Sequence, residues 1–166
     1  MIETAYIGLG GNLGDPFRAT AQAIDVVRQY AGIFQVRPSA CYRTVPVQSS
    51  GPDFCNAVAE IKTDLPASQV LALLLSIEQQ FGRERSVRNA PRTLDLDLIA
   101  YGSLRCADPN MTIPHPRAHE RAFVLVPLCE LNPDALLGPA DQPRLRPASE
   151  WKAQLSESQQ NEVRPW

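Results

Sequence analysis

The 166-residue chain carries 16 basic and 18 acidic side chains, a formal charge of −2, and is 44% hydrophobic and 20% charged. This is the composition of one folded domain with a real core, and it lacks the overall basic field of a nucleic-acid binder. No leader pattern is visible and the longest apolar run, Val70 to Leu75, is too short to cross a bilayer, so a cytoplasmic monomer is expected, free of membrane and nucleic-acid partners.

Cys41, Cys55, Cys106 and Cys129 are widely spaced, with neither a Cys-x-x-Cys pair nor a nearby His, and read as free thiols. Ile2 to Gly8 reads as a first strand that runs into a glycine-rich turn from Gly8 to Pro16. Those glycines are not in Gly-x-Gly-x-x-Gly register and no Gly-Lys-Ser/Thr follows, which disfavours dinucleotide-binding and Walker-type loops. Asp15 as N-cap and Pro16 at the first helical position open a helix whose expected apolar stripe is Phe17, Ala21, Ile24, Val27 and Ala31, closed by Gly32.

Two strand-like runs follow, Ser39 to Thr44 and Phe54 to Thr63, joined by a Pro-, Ser- and Gly-rich loop from Val45 to Asp53. In the second run Cys55, Ala57, Ala59 and Ile61 suit a core. The alternation leaves Phe54 and Asn56 on a more open face, where an aromatic ring and an amide can stack on and hydrogen-bond a flat heterocycle. Pro66 opens a second helix with the stripe Val70, Leu74, Ile77 and Phe81, closed by Gly82.

Arg83, Arg85, Arg88 and Arg92 then fall within ten residues, in a chain with 14 Arg and only two Lys. Guanidinium groups grip phosphate oxygens in bidentate fashion, so this loop suits a polyphosphate, although a general preference for Arg gives part of the same ratio. After Pro91, the run Leu94-Asp95-Leu96-Asp97-Leu98 alternates as a half-buried strand. Asp95 and Asp97 share one face, about 6.6 Å apart, and Leu94, Leu96 and Leu98 point into a core. Such a pair can hold two metal ions about 4 Å apart. Taken alone, it is equally a one-sided strand showing polar side chains to water.

The order strand, helix, strand, strand, helix, strand is the split βαβ pattern of an α+β, ferredoxin-like (βαββαβ) antiparallel sheet with both helices on one face. The helix-free face is expected to be open, with Asp95, Asp97, Phe54 and Asn56 on it together. Further on, His115 stands between Pro114 and Pro116, His119 is expected at the surface, and Arg121 to Leu128 reads as a short helix that Pro127 can kink. Residues 138–166 read as a loose C-terminal elaboration with Trp151 as anchor, outside a core of about 2–133.

The stretch Arg88-x-Ala90-Pro91-Arg92-x-x-Asp95-Leu96-Asp97-Leu98-Ile99 resembles the signature of the 6-hydroxymethyl-7,8-dihydropterin pyrophosphokinases. Gly10-Gly11-Asn12-Leu13-Gly14-Asp15, Tyr42-Arg43-Thr44, Asn56-Ala57, Phe81-Gly82-Arg83 and Pro114-His115-Pro116-Arg117 fall in the family's order. The resemblance implies a ferredoxin-like enzyme of folate biosynthesis that moves pyrophosphate from ATP to the pterin hydroxymethyl group and releases AMP. It also implies two Mg²⁺ on Asp95 and Asp97, with Arg83 and Arg92 beside the transferred group. It puts the pterin between Phe54 and Phe123, read by Asn56 and by the backbone of Thr44, Val45 and Val47. Glu78, Arg83, Arg85, Arg92, Leu98, Thr112, His115 and Arg121 fall where the family contacts ATP. Asn89-Ala90 stand where many members have Trp-Gly, and the loops Val45 to Asp53 and Arg83 to Arg92 are the expected lids. Two other classes stay open: a two-metal nucleotidyltransferase, which would release pyrophosphate, and a ferredoxin-like module that binds nucleotide or RNA without catalysis.

Overall fold

The computed structural model describes residues 1–46, 51–82 and 94–166; Val47, the arginine-rich loop and Arg92 lie outside the described residues. Strand β1 (Glu3–Gly11) leads into helix α1 (Pro16–Gln29), with Asp15 Oδ1 accepting from the Arg18 N–H as N-cap. Strands β2 (Ile33–Pro38), β3 (Tyr42–Thr44) and β4 (Phe54–Thr63) follow, then α2 (Ala67–Gln80), which ends at Gly82 in the left-handed region (φ 75°), and β5 (Asp95–Tyr101).

All pairings in the main sheet are antiparallel. β5 pairs with β1, β1 with β4, and both β2 and β3 lie along the far side of β4. This is the expected βαββαβ arrangement with its second strand in two pieces. β2 is absent from the sequence reading because it lies at the sheet margin with Phe34, Gln35 and Arg37 exposed, and so shows no buried stripe. The break falls at Ser39: its N–H donates to the Val58 carbonyl while its hydroxyl accepts from the Val58 N–H. A side-chain oxygen thus takes the place of a strand carbonyl, and the chain resumes as β3.

One sheet face is sealed by α1 and α2. Ala5, Ile7, Leu9, Ala59, Ile61, Leu94, Leu96 and Leu98 pack there against Ala23, Ile24 and Val27 of α1 and Val70, Leu73, Leu74 and Ile77 of α2. The buried residues of α1 are Pro16, Ala19, Thr20, Ala23, Ile24 and Val27, so Phe17 and Ala21 do not belong to the stripe, Ala31 lies beyond the helix, and Phe17 is 46% exposed.

The opposite face is covered at one end, contrary to the expectation of an open face. Strands β6 (Cys106–Asp108) and β7 (Met111–Ile113) form a hairpin, a 3-10 turn spans Ala118–Glu120, and helix α3 (Ala122–Leu131) runs through Pro127. β8 (Leu136–Leu137) and β9 (Arg146–Pro147) pair, and α4 (Ala148–Ala153), α5 (Glu157–Asn161) and β10 (Arg164–Pro165) complete the chain. Val124, Leu125 and Leu128 of α3 close over Tyr6, Val58 and Ile99, with Leu137 and Ala148 behind them.

The segment after Gly138 is therefore packed, not loose. The Trp151 indole N–H donates to the Leu137 carbonyl, its ring meets the His119 ring at 4.6 Å between centroids, and the Arg146 guanidinium lies over it at 4.6 Å. His119 is only 8% exposed, because Trp151, distant in sequence, covers it. No helix among the described residues is long and apolar enough to cross a membrane. Trp151→Ala removes a half-buried ring and its hydrogen bond; a loss of about 2 kcal/mol in urea unfolding is expected, below the range for a fully buried aromatic.

Candidate functional site

Strand register puts the chemistry at the end of the sheet that α3 leaves uncovered. Asp95 lies opposite Gly10 and Asp97 opposite Gly8, while on the other side of β1 Gly10 lies opposite Asn56. The sequence reading put these glycines in a turn, but β1 continues through Gly11, so Gly8 and Gly10 are strand residues. Both share a face with Asp95, Asp97 and Asn56. A Cβ on Gly10 would stand 2.8 Å from Asn56 Oδ1, and one on Gly8 would stand 3.3 Å from Ile99 Cδ1 and 3.9 Å from Asp97 Cβ. The middle strand thus offers a floor without side chains. The two acids stand on one side and the amide on the other, two strand spacings or about 10 Å apart.

On the amide side, Asn56 is buried (7% exposed), so the face is less open there than its alternation implied. Its Nδ2 donates to Thr44 Oγ1 at 2.7 Å, which fixes the amide and ties β4 to the end of β3. Thr44 is paired with Phe54, both half-buried, and Val45 beyond them is exposed. From the facing side, Phe123 at the start of α3 is 36% exposed, with the Arg121 guanidinium 5.4 Å from its ring centre. Thr44, Val45, Phe54, Asn56 and Phe123 are the five described members of the expected heterocycle set. Asn12, which the sequence reading gave no role, is buried and donates to the Pro52 carbonyl, holding the returning arm of the 45–53 loop.

On the acid side, Asp95 and Asp97 are half-buried at the start of β5. Glu78 of α2 is 1% exposed and accepts from the Leu96 N–H at 3.0 Å, supporting the strand between the two acids. Leu98 is buried on the helix face, so its side chain does not reach this site and only its backbone could. Thr112 lies on the β6–β7 hairpin and donates to the Asp108 carbonyl. The His115 N–H donates to the Ile99 carbonyl, which brings the Pro-His-Pro segment against β5. His115 Nδ1 accepts from the Arg117 N–H, so the neutral ring carries its proton on Nε2. Arg83, Arg85 and Arg92 lie outside the described residues.

Burial pushes the His115 pKa down to about 4, assisted by the Arg121 charge and opposed by Asp95. Burial also lowers that of Arg121, with Asp97 and Asp95 acting in the opposite sense. His115, Arg121, Asp95 and Asp97 are therefore electrostatic neighbours: a neutral imidazole and a guanidinium beside two carboxylates. Among the described residues no three His, Cys, Asp or Glu side chains are grouped to hold a metal by themselves. Two carboxylates are nevertheless the donor set Mg²⁺ takes from a protein when substrate phosphates complete its coordination.

On this ferredoxin-like sheet the paired acids of β5 and the amide of β4 thus share one face across a glycine floor, an arrangement that suits a phosphate-bearing group on one side and a flat ring on the other. The family described as 7,8-dihydro-6-hydroxymethylpterin-pyrophosphokinase (HPPK) matches residues 6–133. The chain is 42% identical over 135 residues to a 2-amino-4-hydroxy-6-hydroxymethyldihydropteridine pyrophosphokinase of Methylorubrum extorquens, covering 81% of this chain and 85% of that protein. It is 39% identical over 132 residues to the protein of the same name in Bacillus subtilis, covering 79% of each. A solved structure titled as HPPK-DHPS in complex with substrates superposes with a TM-score of 0.63 at 12% identity, over 95% of this chain and 44% of that one, which shows a shared fold. The chain belongs to the 7,8-dihydro-6-hydroxymethylpterin-pyrophosphokinase family.

An unfolded histidine titrates near 6.5 and folded His115 at about 4. Protons in that window bind the unfolded chain preferentially, so the His115 contribution is complete above pH 6.5 and is lost as the pH falls toward 4. His115→Gln should flatten the wild-type decline in stability across this range, measured by urea unfolding at half-unit steps.

Proposed function

We propose that Asp95 and Asp97 are the phosphate-side platform, and Thr44, Val45, Phe54, Asn56 and Phe123 the pterin side, of an enzyme that transfers the pyrophosphate of ATP to the hydroxymethyl group of 6-hydroxymethyl-7,8-dihydropterin in folate synthesis. The observation that carries this reading is the glycine floor, which leaves room for two substrates to meet between the acids and the amide. Family membership supports the same chemistry.

The pterin ring would stack between Phe54 and Phe123, with Asn56 reading its amide edge and the backbone after Thr44 its amino edge. Its hydroxyl oxygen forms a bond to the β-phosphorus while the bond from that phosphorus to the α,β-bridging oxygen breaks, and AMP leaves with that oxygen. Asp97 is the candidate acceptor of the hydroxyl proton. Arg121 and the neutral His115, as charge and as donor, suit the nucleotide side, and Thr112 lies on the same segment. Glu78 holds β5 from beneath. Arg83, Arg85 and Arg92 are assigned to the phosphates by the family signature alone, Arg83 and Arg92 at the transferred group, and Val47 to the pterin edge on the same ground. Mg²⁺ held by Asp95 and Asp97 would neutralise phosphate charge and align the reacting oxygens.

With Mg²⁺, ATP and 6-hydroxymethyl-7,8-dihydropterin, the purified protein should form AMP and the pterin diphosphate in equal amounts. Release of pyrophosphate would instead mark a nucleotidyltransferase, and no turnover a binding module. Asp95→Ala and Asp97→Ala should each lower kcat at least about 10³-fold with an unchanged far-ultraviolet spectrum; near-wild-type turnover in either variant would remove that carboxylate from the platform.

A further inference from the structure

Two exposed aromatic rings, Phe17 on α1 and Trp166 after β10, have no place in either core. They stack on each other with centroids 6.4 Å apart and planes 18° apart. Trp166 also carries the Arg43 guanidinium over its ring at 4.0 Å, and its backbone N–H donates to the Cys41 carbonyl. Residues 164 and 165 pair with Arg43 and Tyr42, so β10 adds an outer strand to β3. Arg43 reaches on to Asp53, with Nη1 3.9 Å from Oδ2. Asp53 immediately precedes Phe54, and Arg43 immediately precedes Thr44. The pair therefore joins the two feet of the 45–53 loop at the point where each foot enters the proposed pterin subsite.

β3 is only three residues long, too short to hold its own direction, and it is gripped from both faces. Tyr42 points to the site face and donates to Glu130 of α3 at 2.5 Å, while Glu130 also accepts from the Ala40 N–H. Arg43 points to the other face and is held by Trp166. The Tyr42–Glu130 grip belongs to the domain core. The Arg43 grip is supplied by residues beyond those the family match covers.

We propose that Trp166 is a positioning residue for the pterin subsite. It orients Arg43, which fixes Asp53 and with it the separation of Thr44 from Phe54. The inference rests on the assignment of those two residues to the pterin. A guanidinium on an indole face is held by direction as well as charge, so a ring without the indole's full π surface holds it less firmly and an alanine not at all.

The test compares Trp166→Ala and Trp166→Phe with the wild type in steady-state kinetics and in amide exchange of Tyr42–Val45 and Asp53–Asn56 without substrate. The expected result for Trp166→Ala is a pterin KM raised about three- to tenfold, with kcat and the ATP KM within about twofold and faster exchange at both feet of the loop. Trp166→Phe should recover most of both effects. An unchanged pterin KM, an equal rise in both KM values, or a phenylalanine variant no better than alanine overturns the proposal. Exchange is read whether or not the enzyme turns over. A wild type without pterin-dependent AMP formation thus rejects the substrate assignment, while unchanged exchange in Trp166→Ala rejects the positioning role.

Discussion

The arrangement depends on a side-chain vacancy in the middle of a sheet. Glycine in a strand interior weakens it, through the entropy of ordering and the loss of packing. β1 accepts two such positions, Gly8 and Gly10, on the face where β4 and β5 present their polar groups. The cost is tolerable because the other face of β1 carries Ala5, Ile7 and Leu9, all buried against α1 and α2. The same strand is therefore firm on one side and, beyond Tyr6, bare on the other at Gly8 and Gly10. Its neighbours inherit a fixed separation that no loop could guarantee.

Around that floor, the two sides are stabilised by different means. The acid side is a strand start propped by Glu78 from α2 and bordered by His115 and Arg121 from the segment that folds over β5. The amide side is knit by side chains: Asn56 to Thr44, Tyr42 to Glu130, Asn12 to Pro52. Polar side-chain networks of this kind rigidify the strands they join when satisfied. Burial keeps His115 neutral, so it does not add a third charge between Arg121 and the carboxylates.

Much of this was legible wherever the signal is local. The alternation from Leu94 to Leu98 placed Asp95 and Asp97 on one face and the leucines in the core, because period two needs only neighbours. Asp15 and Pro16 marked the start of α1 for the same reason. Several failures are non-local. Phe17 looked like a core residue because its partner, Trp166, is at the other end of the chain. His119 looked exposed because Trp151 covers it, and Gly10 looked like a turn because its role is defined by Asn56 on a different strand. The helix over Arg121 to Leu128 was read from sequence, but the closing of the far face was not, since that depends on the short strands β6 to β9, which carry weak periodic signals, and on contacts between distant segments. The arginines of the signature were read from sequence as phosphate ligands and lie outside the described residues.

The bond from Leu96 to Glu78 has a consequence apart from catalysis. Among the described residues β5 pairs with β1 alone and is the outer strand of the sheet on that side. An outer strand offers backbone donors to any extended segment that drifts past, and this one carries Leu96 and Leu98 on alternate positions. The buried carboxylate that takes the Leu96 N–H removes one of those offers from within the molecule. The helix that braces the acidic pair thereby also discourages one copy of the protein from adding its strand to another.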